Sequence, residues 1–406
     1  VQTIMKKFFS ILGLEVYALG LAFFRYASGV MTDEAKYLLN IPYPHPPLAR
    51  WIIHLTDGWQ YHEIFWRIVF ATLTVQSVWL ILALARKKQR GNESSLPMFG
   101  AVLWLFSLAL VTQAGTVMMA VLTALQGLVF VLLTLHGPLR RRTYIWVALF
   151  WLASVFTNYQ VALYLPLVAV IFWRAPLPRR LRLFYIGAPL LLLTLYSATN
   201  PLALVSMVGA ASKDASRSLL ERFWGVIVTW FIAGSSIGSI VGTAGIVHSR
   251  RWDLLLSLLL VAAYIWLSYR GYYALLFLPL FVGGAFSLPL QNMRHVSFIR
   301  AEAAMIAFVL FFLPPIQKNL ARDVTQILAA RGVFVQKENG AAIIVGSFGH
   351  EWQYYSPYPV FRYTPRLLGP NDVIMCLDAC PAAARRLAKR ELLEPVPVFV
   401  RRLQMN

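Results

Sequence analysis

The stretch MTDEAKYLLNIPYPHPPLAR, residues 31–50, places an Asp-Glu pair, a Lys, a His, four prolines and an Arg directly after the apolar run FFSILGLEVYALGLAFFRYA, residues 8–27. Working outward from it, the chain is 406 residues long, 59% hydrophobic and only 13% charged, with a mean hydropathy of +0.62. That composition lies outside the range of soluble globular domains. Apolar runs recur at about the 20-residue length that a bilayer core asks of a helix, and they are continuous rather than alternating, which excludes a transmembrane β-barrel. The expected class is therefore an all-α polytopic membrane protein. Its first run, preceded by Lys6 and Lys7, is long and lacks a small-residue cleavage site, and it reads as a retained signal anchor.

A formal net charge of +20 raises nucleic acid as a partner, and the placement of the basic residues decides against it. Lys6 and Lys7, RKKQR at 86–90, RRR at 140–142, RAPLPRRLR at 174–182, Arg250 with Arg251, and Arg294 with Arg300 are each separated by two apolar passages. This alternation follows the positive-inside rule and assigns the amino terminus and every basic loop to the cytoplasm. We expect eleven passages, at about 8–28, 65–85, 97–112, 117–136, 143–157, 159–173, 183–198, 223–247, 253–269, 271–289 and 299–315. Residues 144–173 are split in two at Thr157-Asn158 because both flanks are Arg-rich and must share a side. An odd number of passages puts the carboxyl terminus outside.

The expected domains are a membrane domain over residues 1–316, with outer loops at 29–64 and 200–222, and a small extracytoplasmic α/β domain over 317–406. In the first loop WIIHLTDGWQYHE (51–63) suits a helix lying along the bilayer surface through Trp51, Trp59 and Tyr61. The second loop has a centre rich in Gly, Ala and Ser. In the tail AAIIVG (341–346), DVIMCL (372–377) and VPVFVRR (396–402) read as short buried strands, and PAAARRLAKREL (381–392), opening on Pro, reads as a helix. Cys376 and Cys380 fall in that outer domain. They pair if the strand end turns the two thiols toward each other and stay apart if it does not.

The charge topology brings Asp33, Glu34, Lys36, His45 and Arg50 to the outer face. If residues 33–39 form a short helix, Asp33 and Tyr37 share a face, Lys36 lies three positions from Asp33, and Glu34 points elsewhere. The PYPHPPL run removes backbone donors and stiffens the chain, so His45 is held in place; Tyr43 lies within the same run as loop support. Residue types alone leave two readings: a binding site at the membrane surface, or a solvated loop whose Asp caps a helix.

The order of residues adds to this. DEAKYLL (33–39) followed by IPYPHPPLARW (41–51) resembles the first outer loop of the GT-C fold glycosyltransferases, specifically the protein O-mannosyltransferase and aminoarabinose-transferase-like group. In that group an Asp-Glu pair opens the loop and a His- or Lys-Pro-Pro-Leu motif closes it. EIFWRIVFATLTV (63–75), SVFTNYQVALYLPLVAVIF (154–172) and RGYYALLFLPLFVGGAF (270–286) are similar in kind and order to its later helices, so the likeness covers about 300 residues. The resemblance implies a GT-C-like bundle in a bacterial or archaeal-type cytoplasmic membrane. It also implies transfer of a sugar from a polyprenyl-phosphate carrier, of the undecaprenyl phosphate kind, to a glycan, lipid or protein acceptor outside.

By the same resemblance Asp33 is the catalytic base, Glu34 supports or orients it, and His45 stands near the carrier phosphate. Lys36, Arg50, Arg270, Lys213 and Arg217 are phosphate candidates from position and charge alone, Lys213 and Arg217 on condition that the second loop folds over. Arg270, in SYRGYY (268–273), serves equally as an interfacial anchor. Two features depart from the group. The spacing from Asp33 to His45 is short, and TQAGTVMMAV (112–121) lacks the acidic residue that relatives commonly present there. No metal ligand set or other cofactor is supported by the sequence. His54, Asp57, His62 and Glu63 read as interfacial polar residues, and Glu15, inside the first passage, is expected to face the bundle or a polar group on another helix. Two alternatives remain: a transporter of lipid-linked sugars, which internal repeats and broken helices would favour, and an inactive carrier-binding or scaffolding member of the fold.

Overall fold

The computed structural model describes residues 2–41, 45–89, 96–200, 217–288, 322, 342–345, 350–355, 360–362, 373–376, 390–393 and 396–402. Tyr43, Lys213, the expected passage 299–315 and the Cys376–Cys380 pairing lie outside the described residues and side chains. By its internal contacts the chain forms two compact units, Val1–Tyr26 with Pro42–Pro315, and Ala27–Ile41 with Ile316–Asn406. The expected first loop is thereby cut in two, its Asp33 half belonging with the tail and its His45 half with the helices.

The first unit is a bundle of apolar helices, and the chain is a membrane protein. Among the described residues four helices are long and apolar enough to cross a bilayer: Ser10–Ser28, His62–Ala85, Met119–His136 and Arg179–Thr199. Shorter apolar helices occupy Phe99–Gln113, Thr143–Thr157, Tyr159–Trp173, Trp252–Leu267 and Ala274–Ala285. The core is built on Ala274–Ala285, every residue of which is buried. A helix apolar all round belongs in the interior, and this one packs against Met119–His136 and Ile237–His248. The approach to Ile237–His248 is backbone to backbone, because a Cβ on Gly284 would collide with the carbonyl of Gly242. Small residues let bilayer helices gain close van der Waals contact where no hydrophobic driving force exists between them.

Among the described residues the expected passages 65–85, 97–112 and 223–247 are interrupted, the first at Ser77 between His62–Gln76 and Val78–Gln89. Residues 97–112 form Leu96–Phe106 and Leu108–Gln113, with Ser107 capping the second piece by accepting from Leu110 N at 3.3 Å. The expected single passage 223–247 is two helices, Leu219–Ala233 and Ile237–His248, bent by 99°. Ser235 and Ser236 take left-handed backbone conformations at the bend, φ 50° and 71°. Freed backbone groups inside a membrane must find partners, and the breaks supply them: Ser235 Oγ accepts from Leu108 N at 3.0 Å and Ser239 Oγ from Gly234 N at 3.0 Å.

The helix Met119–His136 serves as a ruler for the unit. At its far end Arg174 Nη1 donates to Thr134 O at 2.9 Å and Arg251 Nη2 to Thr134 Oγ1 at 2.8 Å, so two separate basic loops converge there. Arg251 is also paired with Asp253 (Nε to Oδ1 2.8 Å). The bent pair begins beside Tyr269, against which Gly225 packs, and ends at Arg251. It therefore carries the chain from the Tyr269 end of the helix Trp252–Leu267 to the Thr134 end. Within the bundle, Glu15 accepts from Thr72 Oγ1 at 2.7 Å and Gln76 Nε2 at 3.0 Å, which satisfies its carboxyl oxygens on a neighbouring helix.

Among the described residues of the second unit five strands form one mixed sheet of order β2-β1-β3-β5-β4, with β1 Ala342–Val345, β2 Val360–Arg362, β3 Val373–Cys376, β4 Arg390–Leu393 and β5 Val396–Arg402. β1 is parallel to β2 and β3, while β5 runs antiparallel to β3 and β4. The end of the expected helix 381–392 is corrected by β4: RELL is followed after two residues by a β-branched run, and pairing with β5 overrides the helix propensity of its Glu and Leu. The short helix Glu351–Tyr355 packs against Thr32–Leu38.

Candidate functional site

In the helical unit a buried polar seam crosses otherwise apolar packing. It starts in the HPPL turn, where Pro46 and Pro47 are buried and the helix Leu48–Ile53 follows at once, so His45 sits on an anchored stretch of chain. His45 Nδ1 lies 3.1 Å from Asn158 Oδ1, and its ring stacks on Tyr159 with centroids 4.8 Å apart and 7° between planes. Asn158 stands where the helix Thr143–Thr157 ends and a 3-10 turn over Tyr159–Tyr164 begins, and its side chain accepts from Gln160 N at 3.2 Å to cap that turn. Asn158 Nδ2 donates to Thr123 Oγ1 (2.9 Å) and Gln160 Oε1 (2.8 Å); Gln160 Nε2 donates to Tyr264 OH (2.7 Å), and Tyr264 OH to Tyr273 OH (3.1 Å). Asn158, Thr123, Gln160 and Tyr273 are buried. The seam thus joins the HPPL turn, the TNYQ break and the SYRGYY segment, which stand far apart in sequence.

Two cations lie at the last of these segments. Arg270 Nη1 donates to Tyr269 O at 2.6 Å, and the Arg217 guanidinium lies 5.2 Å from the centroid of the Tyr269 ring. The end of the second loop therefore does reach the SYRGYY segment. Arg50 is half-buried on the helix after the HPPL turn.

In the other unit the helix Thr32–Leu38 presents two carboxylates with different neighbours. Lys36 Nζ is paired with Asp33 Oδ1 at 2.8 Å, one helical turn away. Glu34 is fully buried, and its Oε2 accepts from Met31 N at 3.0 Å, closing the first turn of the helix. Tyr37 is buried on the same helix. Tyr355 OH accepts from Val30 N at 2.6 Å, and Arg322 Nη1 donates to Ala27 O at 2.7 Å, so the tail holds the chain leading into the Asp33 helix. Trp352, in the aromatic-rich tail segment, is buried and belongs to packing.

The ionisable residues of 54–63 make local contacts. His54 pairs with Asp57, His62 Nδ1 donates to Thr56 O at 3.1 Å, and Glu63 Oε1 accepts from Arg67 Nε at 2.8 Å. Arg67 is fully buried and also donates to Gly115 O at 3.1 Å. Among the described residues no cluster of three or more His, Cys, Asp or Glu side chains could hold a metal ion. Residue reasoning assigned no role to Asn158, Gln160, Tyr264, Tyr273 or Arg67. The available signal was TNYQ itself, four polar or amphipathic residues interrupting 30 residues of apolar helix.

No protein-family model matches the chain, and no curated protein sequence does. Its structure is similar to the crystal structure of ArnT from Cupriavidus metallidurans bound to undecaprenyl phosphate, with a TM-score of 0.62 over 96% of this chain and 97% of that one, at 12% identity. A likeness of that extent at that identity establishes a shared fold, the GT-C fold.

Proposed function

We propose that the chain is a membrane glycosyltransferase that moves a sugar from a polyprenyl-phosphate carrier to an acceptor on the outer face of a cytoplasmic membrane. The observation that carries this reading is the seam that fixes His45 of the HPPL turn on Asn158, in a fold shared with a protein crystallised with undecaprenyl phosphate. In the reaction an acceptor hydroxyl oxygen attacks the anomeric carbon, the bond from that carbon to the phosphate oxygen breaks, and the lipid phosphate leaves with the electron pair. Asp33 takes the hydroxyl proton as general base, with its carboxylate oriented by Lys36. Glu34 shapes the helix that bears it. His45 stabilises the charge growing on the leaving phosphate, with Arg50, Arg270 and Arg217 as further cations. Tyr37 and Tyr43 support the loop, and Lys213 keeps its proposed place in the second loop.

The small sheet-containing unit is proposed to lie outside with the carboxyl terminus, and the basic loops converging on Thr134 to lie in the cytoplasm. The broken passages keep a transporter of lipid-linked sugars as the second reading, since discontinuous helices are a feature of such proteins. Turnover of labelled polyprenyl-phosphate sugars by purified protein in lipid, wild type against Asp33→Asn, tests the first reading. Transfer lost on substitution, with carrier binding retained, supports it. Equal transfer by both removes Asp33 as base, and carrier binding with no transfer from a broad donor panel moves the assignment to transport or to an inactive relative.

A further inference from the structure

The Thr134 end of the helical unit holds a second arrangement of cations, which the transferase reading leaves unused. Arg174 caps the end of the helix Leu165–Trp173, Arg251 stands before the helix Trp252–Leu267, and these two helices pack against each other. Both guanidinium groups turn to one residue, Arg174 Nη1 donating to Thr134 O and Arg251 Nη2 to Thr134 Oγ1. A third arginine arrives from the helix Arg179–Thr199: Arg182 Nη1 donates to Trp173 O at 2.9 Å and its Nε to Leu177 O at 2.6 Å. The chain between Arg174 and Arg182 is stiff, because Pro176 and Pro178 fix its backbone and Ala175 and Leu177 are buried.

Part of this is helix capping, since Thr134 lies in the last turn of Met119–His136 and cations are favoured there. Capping leaves much of the cluster unexplained. A guanidinium carries more N–H donors than these bonds consume, and the charge is not balanced locally: residues 134–182 contain no Asp or Glu, and Asp253 is paired with Arg251. The depth of the cluster is marked by Trp173 and Trp252, the chain neighbours of Arg174 and Arg251, which expose 61% and 72% of their surface. Tryptophan so exposed on a membrane protein sits at the boundary of bilayer and water, among lipid headgroups.

We propose that Arg174, Arg182 and Arg251 form a site for the phosphate headgroup of an anionic phospholipid. The planar fork of arginine pairs with two phosphate oxygens at once, and three forks held by carbonyl and hydroxyl acceptors are already oriented for it. A headgroup of net negative charge suits the cluster, whereas the choline of a zwitterionic lipid brings a cation against it. A phosphate polyanion in water meets the same charge but leaves Trp173 and Trp252 bare, and a lipid covers them with its acyl chains. Thr134 stands about 16 Å along the helix axis from Thr123, the residue that meets Asn158, so the site is separate from the HPPL turn. It stands apart from the transferase reading, and nanodiscs with two identical leaflets make its test independent of which face is cytoplasmic.

The full chain is placed in phosphatidylcholine nanodiscs carrying a trace of photoactivatable phosphatidylglycerol or, in a parallel sample, photoactivatable phosphatidylcholine. Labelled peptides are then mapped by mass spectrometry. In wild type, phosphatidylglycerol is expected to label 173–182 and 250–252 roughly fivefold or more above phosphatidylcholine, the preference that even one arginine near a membrane surface supplies. Arg174→Gln combined with Arg182→Gln is expected to bring the two labels level. Combined Arg140→Gln, Arg141→Gln and Arg142→Gln, which removes three exposed charges from the loop after Met119–His136, is expected to leave the preference intact. Equal labelling in wild type overturns the proposal without recourse to any variant. A preference that falls as far in the 140–142 variant as in R174Q/R182Q overturns it too, because the attraction then belongs to the basic loops at large and not to a site.

Discussion

Asp33 meets its ion-pair partner at i,i+3 on one helical turn, whereas His45 meets Asn158 across 113 residues of chain. Both stand in the same 20-residue stretch, yet one half folds with the tail and the other with the helices. The difference lies in what fixes each side chain. Local geometry suffices for a carboxylate on a short helix, since spacing alone brings Lys36 over it. His45 depends on a long-range network whose members act together, so a change at Thr123 or Gln160 reaches it through Asn158 without touching it.

The sharpest way to break this comparison is a kinetic split between the halves. Asp33→Asn is expected to lower transfer by roughly 10²–10⁴-fold, the ordinary worth of a positioned base, with affinity for undecaprenyl phosphate unchanged. His45→Ala removes a charge-assisted bond worth about 1.5–3 kcal/mol and is expected to weaken carrier affinity by roughly 10–100-fold. Steady-state transfer together with direct binding checks both. If Asp33→Asn weakens binding and leaves the rate per bound carrier intact, the two halves have been assigned the wrong way round.

Much of the fold was legible because a bilayer imposes a length and a charge rule that the chain must write into its sequence. Apolar runs with Arg-rich ends gave most of the described helices, including the split at Thr157-Asn158. The breaks at Ser107 and at Ser235-Ser236 were not legible, because serine is tolerated in an apolar helix and signals a bend only when another backbone lies close enough to use its hydroxyl. The Asp33–Lys36 pair could be foreseen from spacing. Asn158 could not be given a partner, because a capping asparagine and a network asparagine look alike until Thr123, from a different helix, is placed beside it.

The network itself is the next place to test. Gln160→Leu takes one partner each from the Asn158 amide, which keeps Thr123, and from the half-buried Tyr264 hydroxyl, which keeps Tyr273, and is expected to cost about 1–3 kcal/mol in all. Tyr264→Phe removes one hydroxyl and is expected to cost about 1 kcal/mol. In a double-mutant cycle followed by thermal unfolding in lipid, the pair should couple by roughly 1 kcal/mol. Additive effects would mean that the seam is a set of independent contacts, and His45 would then be insulated from changes at its far end.

A smaller effect is expected where the tail holds the chain before the Asp33 helix. Tyr355→Phe deletes the acceptor of Val30 N and should cost about 1 kcal/mol, read as faster hydrogen exchange at Val30 and Met31. Unchanged exchange would show that packing of Glu351–Tyr355 against Thr32–Leu38 holds that segment without the hydroxyl.

The smallest stability effect belongs to Lys36, and it separates two roles for one residue. Its pair with Asp33 is partly exposed, with 15% and 26% of the side chains accessible, and a pair so placed on a helix contributes only about 0.2–0.5 kcal/mol. Lys36→Met should therefore leave unfolding almost unaltered. If Lys36 orients the base, the transfer rate falls several-fold while undecaprenyl phosphate affinity stays constant, because what is lost is the alignment of the carboxylate with the acceptor proton. If instead Lys36 reaches the carrier phosphate, as its charge and position alone suggested, affinity falls by roughly tenfold or more, the ordinary loss of a charge-assisted bond. The paired geometry with Asp33 favours the first outcome, and the second would return Lys36 to the cations that bind the donor.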